Sequence, residues 1–115
     1  MQKFFFDAIA RDQAKRASAA SSGRSAETVF DGHQHALRRT VVALTAGSAL
    51  DEHKNPGEAT IQVLRGRVRL SAGQVAWEGR TGDLLVVPDA RHALQAIEDS
   101  AILLTVSKVT HASRP

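Results

Sequence analysis

The chain has 115 residues, 43% of them hydrophobic and 23% charged, the proportions of one ordinary globular domain. Cysteine is absent, which excludes disulfides, thiolate nucleophiles, iron–sulfur clusters and Cys-ligated zinc. The formal net charge is +3 and the pI about 10.0, compatible with anionic ligands, but aromatics are 4% and tyrosine is missing, so the stacking platforms of a nucleic-acid surface are scarce.

No apolar run approaches the ~20 residues that cross a bilayer as a helix, and Asp7 ends the triplet Phe4, Phe5, Phe6 before a secretory h-region forms. The expectation is a cytoplasmic protein with no membrane and no nucleic-acid partner. In chain order, Phe6, Ile9, Ala10, Gln13, Ala14 and Ala17 recur on one side at helical spacing. Residues 18–25 are small and polar around Gly23 and read as a linker. The helix carries little apolar surface after Ile9, so it needs another surface to lie on. That surface is the outside of its own domain or, through Phe4, Phe5 and Phe6, a second subunit.

From Thr28 onward the texture changes to short β-branched and leucine runs broken by Gly, Pro and Asp. The predicted strands are 40–44, 49–53, 60–64, 67–70, 75–78, 84–87, 92–96 and 101–106. Short strands with closely spaced turns indicate an all-β sandwich or barrel. Alternation sets Arg67 and Arg69 on a solvated face, with Val68 and Leu70 on the other. Trp77 is expected to cover one edge of the core. Residues 110–115 read as a flexible tail. The expected division is helix and linker over 1–24, one β-barrel over 25–109, and the tail.

Two segments stand out. Residues 47–66 contain Gly47-x5-His53, then Asn55, Glu58, Ala59 and Gly66; residues 82–92 contain Gly82-x5-Pro88 followed by His92. Their order, with a strand pair between them, resembles the two motifs of the cupin family, G-x5-H-x-H-x3,4-E-x6-G and G-x5-P-x-G-x2-H-x3-N. The resemblance covers about residues 39–108. It implies a double-stranded β-helix (jelly-roll) barrel, here with one short N-terminal helix, and, because small cupins commonly pair, a homodimer.

In the family, two histidines and a glutamate of the first motif and one histidine of the second bind a divalent metal inside the barrel. Carried over, His53 matches the first ligand, and His92 the last if the turn after Pro88 is one residue shorter. Asn55 replaces the second histidine and Ala59 the glutamate. Alanine has no donor, and an asparagine carbonyl is a poor ligand for Fe, Mn, Zn or Ni beside imidazole. By alternation Glu58 and Gln62 point away from Ala59, unless a bulge at Pro56-Gly57 shifts the register. His33 and His35 form an H-x-H pair before the barrel, which would join His53 and His92 if it folded over the mouth; otherwise they are loop histidines.

The resulting expectation is a small-molecule-binding cupin with a degraded metal site, its pocket lined by His53, His92, Ile61, Val63, Asn55 and Arg39. An arginine at the barrel mouth would suit a carboxylate or phosphate. One alternative is a metal-dependent enzyme of dioxygenase, isomerase or decarboxylase type, with His53, His92 and one of His33, His35 or Glu58 holding Fe, Mn, Zn or Ni. Another is a structural or regulatory dimer without ligand chemistry, its barrel plugged by Leu and Val.

Overall fold

The structure, a computed structural model, describes residues 1–53 and 57–110; the side chains of residues 51–53, 109 and 110 lie outside that description. Among the described residues one helix, α1 (Phe6–Ala19), precedes nine strands: β1 (Arg24–Phe30), β2 (Leu37–Leu44), β3 (Ala49–His53), β4 (Gly57–Arg65), β5 (Arg67–Ala72), β6 (Val75–Arg80), β7 (Leu84–Val86), β8 (His92–Ala96) and β9 (Ser100–Thr110). They form two antiparallel sheets, ordered β1-β2-β9-β4-β7 and β3-β8-β5-β6. The core between the sheets joins Val42, Leu44, Ile61, Val63 and Ile102 of the first to Val68, Leu70, Leu94 and Ala96 of the second. This is the all-β jelly-roll expected of a cupin, with its N-terminal helix.

Helix α1 forms from alanine-rich sequence with Asp7–Arg11 and Asp12–Arg16 pairs at 3.0 and 3.1 Å on its exposed side. Its buried side, Ala10, Gln13 and Ala17, lies on the outer face of the five-stranded sheet. There Ala10 meets Val41, Ala101 and Leu103, with Phe6, Ile9, Val29 and Leu64 around them. The helix therefore covers its own domain, and residues 41–44 of β2 are buried on both faces.

A strand, β1, begins at Arg24 within the stretch expected to be linker. Its composition hides its first half, because the helix-side residues there are polar: Ser25 donates to the Gln13 side chain, and the Gln13 amide donates to Glu27 at 3.3 Å. These polar side chains are satisfied by the helix's Gln13, so no apolar alternation marks the start of the strand.

The turn after β1 is tied down by Asp31. Its carboxylate accepts from Lys108 Nζ at 2.7 Å and from Arg38 Nε at 3.1 Å, and the Lys108 backbone N–H donates to Ala36. The Lys108 hydrogen bond, then the Gly32 backbone, hold the Asp31 carboxyl far below the ordinary aspartate value of 3.8. A lowered carboxyl pKa contributes stability that is full above the unfolded value and is lost as pH falls through the folded one. Asp31→Asn is therefore expected to lower the urea midpoint at pH 7, with the deficit shrinking below about pH 4 as the wild type loses the same contribution. A deficit that stayed constant down to pH 2.5 would contradict this account.

The outer face of the four-stranded sheet is solvated. Arg69 is exposed there, and Arg67 Nε donates to Glu78 across β5 and β6 at 2.8 Å. That hydrogen bond holds the Glu78 carboxyl below its usual range.

Candidate functional site

The two sheets part along one side. β7 is only three residues long, too short to cover β6 opposite it. On β6, Val75 and Trp77 pair with Ala72 and Leu70 and so share the core-facing side of the sheet. Yet Trp77 is 69% exposed and Val75 60%. Between the parted edges lies a cavity of about 510 Å³ lined by Leu70, Ala72, Val75, Trp77, Leu84, Leu85, Val86 and Pro88. Every lining side chain is hydrocarbon or indole, and Leu70 at its floor belongs to the core. Trp77 thus stands at an open mouth instead of sealing the core's edge.

His92 opens β8 and is 4% exposed. Leu94 pairs with Leu70 and Ala93 with Ser71, so the next rung sets His92 beside Ala72 in the cavity wall, about one strand spacing, roughly 5 Å, away. His92 Nδ1 lies 2.9 Å from the Ala90 carbonyl oxygen. A carbonyl only accepts, so Nδ1 carries the proton, and in the neutral ring Nε2 is the acceptor or ligand atom. His53 is in backbone register with His92 across β3 and β8; its side chain, and all of Asn55, lie outside the described residues.

The position that matches the cupin glutamate holds an alanine. Ala59 is 5% exposed and belongs to the aliphatic cluster with Val42, Ile61, Val63 and Ile102. A register shift does occur between Gly57 and Ala59, close to where a bulge would have turned Glu58 inward, yet Glu58 is exposed. Gln62 is exposed too. Ile61 and Val63 are fully packed core residues and do not border the cavity.

The remaining predicted residues lie elsewhere. His33 and His35 are exposed in the β1–β2 turn, where the His35 ring packs on Phe30 with centroids 4.3 Å apart. Phe30 pairs with Arg39, and Arg39 has the parity of Val41 beneath the helix. Both therefore belong to the outer face of the five-stranded sheet, and Arg39 lines a groove there with Phe4 and Phe6. The reason is register: Val42 and Leu44 face the core, so the arginine that shares their side is Arg38, which instead reaches Asp31 at the strand's end. His111 lies outside the described residues.

The family's metal centre needs four donors converging in the barrel. Here the glutamate position is a methyl group packed in hydrocarbon, and among the described residues no three His, Asp or Glu side chains cluster as a metal site. The described residues do not fit a four-ligand centre. The mouth, by contrast, was not anticipated. Its sequence signal is the unbroken run Leu84-Leu85-Val86-Val87, since a strand apolar at every position has apolar side chains on both faces.

Among the described residues no helix is long and apolar enough to cross a membrane. No protein-family model matches the sequence, and no curated protein matches it either. Solved structures do. A conserved protein of unknown function from Streptococcus pyogenes is 27% identical with a TM-score of 0.69, over 78% of this chain and 78% of that one. An RmlC-like cupin protein from Desulfovibrio desulfuricans is 25% identical with a TM-score of 0.64, over 73% and 81%. KdgF from a Halomonas species is 20% identical with a TM-score of 0.64, over 79% and 85%. Two packed antiparallel sheets, both motif segments in order and these likenesses lead to one conclusion: the chain has the cupin fold.

Proposed function

We propose that this cupin-fold protein binds a small apolar molecule in the mouth between β6 and β7, and that the metal site of its fold has degraded. The observation that carries the reading is the cavity of about 510 Å³ whose wall is entirely hydrocarbon and indole, within the roughly 300–1,000 Å³ of small-molecule clefts. Burying apolar ligand surface there contributes about 25 cal/mol per Å² before association costs. His92, on the rung beside Ala72, adds a polar side chain at the edge of this apolar wall. Among the described residues no nucleophile stands beside a base at this mouth, and the reading is of a carrier or sensor of its ligand.

Trp77 is the only tryptophan in the chain and stands in the cavity wall, so its emission reports occupancy. Titration with the neutral probe N-phenyl-1-naphthylamine is expected to give saturable energy transfer from Trp77. Val86→Glu, which places a carboxylate on an exposed wall position, is expected to weaken binding at least tenfold. Absence of saturable transfer sinks the ligand-binding reading. Near-stoichiometric metal in protein purified without a His tag, lost in His53→Ala, would overturn the degraded site and return the metal-dependent enzyme.

The exposure of Leu84 and Val86 beside Trp77 favours a second reading, a homodimer that closes over the mouth. Sedimentation across a hundredfold concentration range separates the two. A dimer made monomeric by Val86→Glu supports the second, and a monomer that binds the probe supports the first.

A further inference from the structure

A second pocket lies on the opposite side of the five-stranded sheet. Gln2, Phe4, Phe6, Val29, Phe30, Leu37 and Arg39 enclose about 350 Å³ where the N-terminal segment crosses the strands. Phe4 and Phe6 stack with centroids 6.4 Å apart and planes 10° from parallel, forming a rigid aromatic side wall.

Arg39 is the unusual member. It is half-buried, and its Nε donates to Thr105 Oγ1 at 3.2 Å. Among the described residues no carboxylate stands within ion-pair distance of it. The cations at the same end of β2 and β9, Arg38 and Lys108, are both compensated by Asp31. A guanidinium partly withdrawn from water and left without a counter-ion is costly, and the bond to Thr105 leaves both Nη groups to present a bidentate fork.

We propose that this groove is a binding site for a free amphipathic monocarboxylic acid, its carboxylate on Arg39 and its hydrocarbon body along Phe4, Phe6, Phe30 and Leu37. Charge complementarity selects the head group, since the groove offers one cation and no facing anion. Its volume selects the tail, a medium-length chain or a single aryl group. The site is separate from the β6–β7 mouth, and neither depends on the other.

Calorimetric titration of the full chain with decanoate, and with decanol as the uncharged control, tests the assignment. Wild type is expected to bind decanoate saturably, and Arg39→Gln to weaken it roughly tenfold to a hundredfold, the range for a charge-assisted hydrogen bond. Decanol is expected to bind both proteins alike. Trp77→Ala, in the other cavity, is expected to leave decanoate affinity unchanged. Phe4 is at the surface, 37% exposed, so Phe4→Glu keeps the test valid if Arg39→Gln fails to fold, and is expected to cost at least tenfold. No saturable decanoate binding, equal affinity in Arg39→Gln, or a loss confined to Trp77→Ala would each overturn the proposal.

Discussion

Gly66→Ala is expected to destabilise the fold by roughly 2–5 kcal/mol, combining left-handed backbone strain with overpacking. Gly66 has φ +83°, and a β-carbon there would lie 2.3 Å from the Asp99 carbonyl oxygen and 2.9 Å from Ser100 Cα. Neither neighbour is at liberty to retreat. Ser100 Oγ accepts from the Arg67 N–H at 3.0 Å and donates to the Glu98 carbonyl at 2.8 Å, while Asp99 Oδ1 accepts from the Ala46 N–H at 2.8 Å. Gly73→Ala is the control: φ is +58°, but nothing lies within 4 Å of the added carbon, so only the strain of roughly 1–2 kcal/mol remains. Urea denaturation with an unchanged m-value reads the difference. Equal losses for the two variants would show that the Gly66 turn relaxes and that the crowding is not limiting.

Ala59→Glu is expected to cost about 3–5 kcal/mol or to abolish folding, although it restores the residue type of the cupin glutamate. The site is 5% exposed and its described neighbours are aliphatic side chains, so a carboxylate there loses its hydration among hydrocarbon, and its bulk overpacks the core. Glu58→Ala, one residue earlier and exposed, is expected to stay within about 0.5 kcal/mol of wild type. Thermal melts with and without Mn, Fe, Zn and Ni provide the measurement. A folded Ala59→Glu protein whose melting temperature rises with metal would show that donors converge at this position, and the account of a degraded centre would fail.

The two substitutions bear on different parts of what could be read in advance. Gly66 stood out as a turn glycine and as the last residue of the first motif segment, and its positive φ agrees with that. Ala59 could be placed opposite Glu58 because strand alternation is strict. The structure keeps Ala59 inside and Glu58 outside, even with a register shift between Gly57 and Ala59.

Residue order thus determined the helix, whose 3.6-residue stripe of Phe6, Ile9, Ala10, Gln13 and Ala17 is a local property, and an all-β sandwich or barrel, which the cupin resemblance of the two motif segments narrowed to the jelly-roll. It did not reveal β1, because the polar side chains of Ser25 and Glu27 satisfy a buried glutamine on a helix that contacts the strand only after folding. Nor did it decide which side of β2 faces the core: alternation sets Arg38 with Val42 and Arg39 with Val41, but residues 41–44 are apolar on both sides, and only the packing of the helix and the second sheet puts Val42 inside and Val41 beneath the helix. The mouth beside Trp77 is tertiary in the same sense. It exists because a three-residue β7 fails to cover β6 from the opposite sheet, and the relative length of strands far apart in sequence becomes a cavity only when the sheets are stacked.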